Sequence, residues 1–126
     1  MKNNVYNQVL SSIKMRRLKD IGLDISDASA YYSKGRLMWR TGIRKSDDKL
    51  DFRYTTGDII GKLPKIINLA GHEYQLVISL GSNVMYFNWI TGNTLMIFFK
   101  SSWKSDIDVL FDCLKWCIIN KYIEKE

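Results

Sequence analysis

Hydrophobic positions recur along this chain at two periods, and the change from one to the other marks its elements. In Ser12 to Ile21, Leu10, Ile13, Leu18 and Ile21 form one apolar side of a helical projection. Lys14, Arg16, Arg17 and Lys19 fill much of the remainder, which predicts an amphipathic helix. Ser11 or Ser12 can cap its first amides, and Gly22 stands where such a helix stops. A second helical run covers Asp106 to Ile119, with Ile107, Leu110, Phe111, Leu114, Cys117 and Ile118 at spacings of three and four. Ser105 is its N-cap, Asp108 occupies the capping-box position, and Asn120 is placed to end it in the left-handed region. Between them, Thr55-Thr56-Gly57-Asp58 reads as a third helix start, leading into Ile59, Ile60 and Leu63. Pro64 then either breaks that helix or opens a further short turn through Ile66, Ile67 and Leu69.

Elsewhere the period is two. Arg36 to Arg40 sets Leu37 and Trp39 against Arg36, Met38 and Arg40, and Leu50 to Tyr54 reads as the returning strand of that hairpin. Three more runs have hairpin spacing: Glu73–Leu80, Val84–Ile90 and Thr94–Lys100, joined at Gly81-Ser82-Asn83 and Thr91-Gly92-Asn93. Leu23 to Ser29, rich in Asp and Ser, reads as turns, and residues 1–10 as a loose leader. The expected architecture is one α+β domain over residues 1–126. Its order is α-β-β-α-β-β-β-α, an antiparallel sheet that includes a three-stranded C-terminal meander, with helices packed on it.

The meander has an unusual feature. Met85, Phe87 and Trp89 alternate with Val84, Tyr86 and Asn88, and Leu95, Ile97 and Phe99 alternate with Met96 and Phe98, so both faces carry large side chains. A sheet with one face in water has a more polar alternate face. Either the chain's own segments cover both faces, or one face is a contact surface; Phe87, Trp89, Met96 and Phe98 are the candidate interface residues.

Charge changes this picture only in part. The net charge is +6, and residues 1–62 hold all of that excess. Lys14, Arg16, Arg17, Lys19, Arg36, Arg40 and Arg44, with Lys45 and Arg53 nearby, would form a nucleic-acid-binding patch if the first helix lies beside the first hairpin. Tyr31, Tyr32 and Trp39 lie among these charges, as base stacking requires. The opposing reading is a solvated basic helix face with core aromatics. No run approaches the roughly 20 apolar residues that span a bilayer, and the polar N-terminus has no signal-like core, so the expectation is a cytoplasmic protein with no membrane contact.

Candidate catalytic chemistry is sparse. His72, the sole histidine, lies in a turn with no nucleophile motif beside it. Asp47/Asp48 read as a solvated loop and Asp106/Asp108 as a helix start. Gly57 to Leu63 lacks the first glycine of a phosphate loop, and Leu63 replaces its hydroxyl residue. Cys113 and Cys117, four apart on a helix, read as small buried residues, and a zinc site would need more ligands than the sequence places near them. The expectation is therefore a protein that is not an enzyme and uses no metal or cofactor. Residues 56–119 resemble a double-stranded-RNA-binding domain in element order alone; Asp106 and Asp108 stand where that family grips phosphate with lysines.

Three segments carry a second resemblance. Leu18 to Ser29 resembles an opening Leu-x-x-Leu-Gly-x-Asp-x-Ser-x-Ala-Ser, Asp58 to Ile67 a central Asp-x-x-x-x-Leu-Pro-x-x-Ile, and Leu110 to Ile123, through its closing run from Leu114, a terminal Leu-x-Trp-Cys-Ile-x-Asn-Gly-Tyr-Ile. Together they resemble small uncharacterised proteins encoded by phages and mobile elements of gut bacteria. That resemblance implies an α+β fold and a mobile-element origin, with no activity or site residues to carry over. Lys121 departs from the glycine of the pattern. The function expected is that of a non-catalytic accessory protein that binds another protein or a second copy of itself, with nucleic-acid binding as the alternative.

Overall fold

The computed structural model describes residues 9–39 and 51–123. Three helices, Ser12–Asp20 (α1), Thr56–Lys62 (α2) and Asp106–Ile119 (α3), are combined with seven strands. The strands are Ala30–Ser33 (β1), Arg36–Trp39 (β2), Asp51–Arg53 (β3), Ile66–Leu69 (β4), His72–Ser79 (β5), Asn83–Phe87 (β6) and Thr94–Phe99 (β7). The fold is α+β, as the two periods imply, and the C-terminal meander is β5-β6-β7.

Two strands join those expected and change the pairing. Tyr31 and Tyr32 lie in β1, which runs between β2 and β3 in a sheet of order β2-β1-β3. Among the described residues the two predicted hairpin partners are not paired with each other; each pairs with β1. Ile66 to Leu69 continues as β4 along β5 rather than as a helical turn, giving a second sheet of order β4-β5-β6-β7. Pro64 ends α2, because a proline ring disfavours helical geometry in the residue before it, and Leu63 is extended with ψ 132°; pairing with β5 then holds Ile66 to Leu69 as a strand.

Each helix begins on a capping side chain. Ser11 caps α1, Thr55 caps α2 and Ser105 caps α3, the last two in full capping boxes with Asp58 and Asp108. Asp58 also accepts from the backbone N–H of Ser29 at 2.8 Å, which ties the Asp/Ser-rich segment to α2. Tyr54 is fully buried and sets its hydroxyl 3.0 Å from the Asp24 carbonyl and 2.9 Å from the Asp27 carboxylate.

Two sequence readings need correction. Val9 and Leu10 are not leader residues: both are buried, Val9 bridges to Thr55, and the Leu10 N–H donates to the Tyr54 carbonyl at 2.9 Å. On α1 the core-facing residues are Met15 and Leu18, whereas Ile13 is 81% exposed. Two positions at about 100° each separate Ile13 from Met15, so both cannot face the core.

The end of α3 also differs from expectation. Asn120 remains near helical geometry at φ −88°, and Lys121 takes the left-handed conformation at φ 65°. The Tyr122 N–H donates to the Cys117 carbonyl and the Lys121 N–H to the Ile118 carbonyl, the two bonds of a Schellman stop. A left-handed side-chain-bearing residue costs about 1–2 kcal/mol, and a glycine gives back part of that through its freer unfolded chain. Lys121→Gly is thus expected to stabilise the fold by about 0.5–1 kcal/mol, read as a higher urea midpoint at unchanged slope.

One hydrophobic cluster holds the molecule together. It runs from Leu10, Met15 and Leu18 through Phe52, Tyr54, Ile59 and Leu63 to Val84, Tyr86 and the buried side of α3. Eight α3 residues are buried: Ile107, Val109, Leu110, Phe111, Cys113, Leu114, Cys117 and Ile118. A helix that is apolar on most of its circumference sits inside a core, and α3 lies between α2 and the inner face of β6 and β7.

Candidate functional site

The predicted basic patch is divided by the fold. Arg16, Arg17 and Lys19 stay exposed on the outward side of α1, and Arg36 is exposed on β2. Strand β2 lies across β1 from β3, the strand that α1 packs against, so Arg36 stands apart from the helix. Arg40 and Arg44 lie outside the described residues. Lys14 turns inward: its Nζ is 2.6 Å from Asp108 Oδ1 and 5.3 Å from the centre of the Phe111 ring. Arg53 is committed as well, donating to Asp51 through Nε and Nη2 and to the Leu10 carbonyl through Nη1, with Tyr32 under its guanidinium at 4.4 Å. Lys14 and Arg53 therefore brace elements together, while Arg16, Arg17 and Lys19 remain in solvent.

Asp108 shows how the α1–α3 contact is tuned. Burial alone would raise its carboxyl, but the hydrogen bond and charge of Lys14, with the Ser105 hydroxyl and N–H, hold it below the usual carboxylate range. The carboxylate that reads as a helix cap thus also accepts a cross-helix ion pair.

The candidate interface residues are placed by strand register. Val84 pairs with Ile78 and Phe98, and Tyr86 with Leu76 and Met96, so these positions share the face that α3 covers. Phe98 packs edge-on to Trp116 at 6.1 Å and belongs to the rim of the core; Met96 is 36% exposed at the margin of the same face. Phe87 lies on the other face, 4.8 Å from Trp89 in an edge-to-face pair. The four residues therefore do not form one surface. Phe87 and Trp89 belong instead with Val77, Met85, Ile97 and Phe99: the register sets Val77 against Met85 and Met85 against Ile97, with Phe99 opposite Asn83.

None of those outer residues joins the hydrophobic cluster. Trp89 and Phe99 are each 64% exposed, and Val77, Met85 and Ile97 are only partly shielded. Among the described residues, the helix that packs on this sheet does so from the opposite side, through the contacts of Trp116 and Cys117 with Tyr86 and of Trp116 with Phe98. The sequence alternation signalled this face, because a half-solvated strand does not ordinarily place Val, Met, Phe and Ile on its wet side.

The groups considered for catalysis have structural places. His72 is exposed at the start of β5, with its ring 6.5 Å from that of Tyr74. Asp106 accepts from the Gly81 N–H at 2.8 Å, joining α3 to the β5–β6 turn; Asp47 and Asp48 lie outside the described residues. Cys113 and Cys117 are free and buried. The Cys117 thiol donates to the Tyr86 hydroxyl at 3.5 Å, which in turn donates to the Pro64 carbonyl at 2.8 Å. Burial, then the Cys117 contact, pushes the Tyr86 phenol up; the Cys117 contact, then burial, does the same to the Cys113 thiol. Among the described residues, no group of three or more His, Cys, Asp and Glu side chains is arranged to hold a metal, and no helix is long and apolar enough to cross a membrane.

Compared with protein-family models, curated proteins and solved structures, the chain matches none of them.

Proposed function

We propose that the protein is a non-catalytic accessory factor that works by binding another protein through the outer face of its four-stranded sheet. The phage or mobile-element origin implied by its three resembling segments fits an accessory role. The observation that carries the reading is the surface formed by Val77, Met85, Phe87, Trp89, Ile97 and Phe99, which belongs to no core within the described residues. Contiguous apolar surface of this kind is uncommon on monomers and marks contact sites. Glu73 and Gln75 flank it on β5, and the central strand β6 presents Asn83, Met85 and Phe87 with no charge. The partner it suits is accordingly apolar and weakly charged, and a second copy of the same face meets that description through face-to-face sheet packing.

Sedimentation velocity at micromolar concentration tests this directly, with Met85→Lys as the variant. A wild-type dimer that becomes monomeric on the substitution identifies the partner as a second copy. A wild-type monomer whose capture of one defined protein is lost in Met85→Lys identifies a heterologous partner. A wild-type monomer whose binding profile is the same as that of Met85→Lys overturns the proposal.

A further inference from the structure

A cleft of about 820 Å³ opens between the N-terminal ends of α1 and α3. Its walls carry Lys14 and Arg53 from the first half of the chain, Lys100 and Lys104 from the second, Asp108, and Trp103. The indole of Trp103 is 92% exposed. Burying a tryptophan is worth far more than leaving it in water, so one held almost wholly in solvent beside four cations is placed for a planar ligand. We propose that this cleft binds a nucleotide unit of a single-stranded nucleic acid, its base stacked on Trp103 and its phosphate held by Lys100 and Lys104. This inference is independent of the sheet-face reading, since the two surfaces share no residue.

Each of the four cations has a carboxylate partner, and the pairs differ in how firmly they are held. Asp108 is taken by Lys14 and by the Ser105 N–H. Asp106 is taken by the Gly81 N–H, and stands 3.6 Å from Lys100. Asp51 is taken by Arg53. The fold has thus spent these carboxylates on backbone amides and on the two inward cations. Lys100 and Lys104 are left with surface pairs, to Asp106 and Asp112, of a kind worth about 0–1 kcal/mol. A phosphodiester offers each ammonium another charged acceptor in exchange for these solvent-screened pairs. Serine hydroxyls from Ser12 and Ser102 add donors along the same wall. The site is open and reads no base edge, so recognition is of backbone and aromatic face and is tolerant of sequence.

Anisotropy of a fluorescein-labelled single-stranded oligothymidylate, titrated with the full chain at low and at near-physiological salt, tests the site. Saturable binding that weakens with salt is expected. Trp103→Ala is expected to weaken it about fivefold or more, as loss of one stacked base does. Lys100→Gln with Lys104→Gln should weaken binding and flatten its salt dependence. Arg16→Ala with Arg17→Ala, outside the cleft, should leave it within about twofold. Competition by adenosine monophosphate would place the recognition in one nucleotide unit, whereas displacement only by unlabelled strand would require several units; either supports the cleft. Absence of binding at low salt overturns the proposal, and so does binding that survives both cleft variants while the Arg16/Arg17 variant abolishes it. Far-UV circular dichroism confirms that each variant is folded, all five positions being at the surface.

Discussion

Replacing Leu114 with alanine is expected to lower the unfolding free energy by about 2–5 kcal/mol. Leu114 is fully buried on α3, the helix that touches α2 on one side and β6 and β7 on the other. Truncation removes the transfer free energy of three carbons and leaves a cavity whose walls belong to different elements. Those walls cannot collapse as one, because the helix is pinned at its start by the Ser105–Asp108 capping box and the Lys14 ion pair, and at its end by the Schellman stop. The loss should therefore fall in the upper part of that range. Urea titration followed by near-UV signal, which reports Trp116 between Tyr86 and Phe98, and by far-UV signal, which reports both sheets, checks it. The two signals should move together to a lower midpoint, since one hydrophobic cluster spans both sheets. A far-UV transition that stays at its wild-type midpoint while the near-UV one falls would show that the three-stranded sheet has a core of its own.

The legible parts of the fold were those specified by short-range chemistry. The bounds of α3 follow from Ser105 and Asp108 at one end and from its three-and-four spacing along the length, and the structure has the same bounds. The Thr55 start of α2 and the β5-β6-β7 meander were legible for the same reason, because caps and hairpin turns act within a few residues. Strand β1 was not, since Tyr31 and Tyr32 are adjacent rather than alternating and its short length shows no period. Its place between β2 and β3 is set by pairing at a distance, which no local pattern encodes. The turn of β1 into β2 puts Lys34 and Gly35 at φ 51° and 76°, and that of β4 into β5 puts Ala70 and Gly71 at 52° and 80°. A primed hairpin turn is advertised by Asn-Gly or Asp-Gly, and with Lys or Ala in the first position the signal is halved. Among site residues, the apolar alternate face of the meander was visible as a pattern, but the members that share it emerge only from register, which separates Phe98 from Phe87. The cleft was hidden for another reason. Lys14 and Arg53 come from the basic half of the chain and Lys100 and Lys104 from the balanced half, so counting charge along the sequence directed attention to α1 and the first hairpin.

Adjacent positions of β6 should answer a lysine in opposite ways, and the contrast bears on whether the outer sheet face is open. Val84 is 2% exposed and paired across the inner face with Ile78 and Phe98. Lysine there must either bury an ammonium among the apolar side chains of the core cluster or force α3 off the sheet. Burying an unpaired charge belongs to the exceptional class of substitutions, at about 4–5 kcal/mol or more, which is comparable with the whole stability of a small domain. Val84→Lys is expected to be unfolded at room temperature, with a collapsed near-UV spectrum and rapid proteolysis. Met85 points the other way, between Val77 and Ile97. A lysine at that position keeps its ammonium in water and lays its methylenes along the neighbouring side chains, so the loss should stay within about 1 kcal/mol. Because the side-chain period of a strand is two, a sheet covered on both faces would make the two substitutions comparably damaging, whereas an open face separates them by several kcal/mol. Urea midpoints of the two variants, measured side by side at a protein concentration where the wild type sediments as a monomer, decide this. A Met85→Lys protein as unstable as Val84→Lys would mean that the outer face is already filled within the chain, and the binding surface proposed for it would be lost.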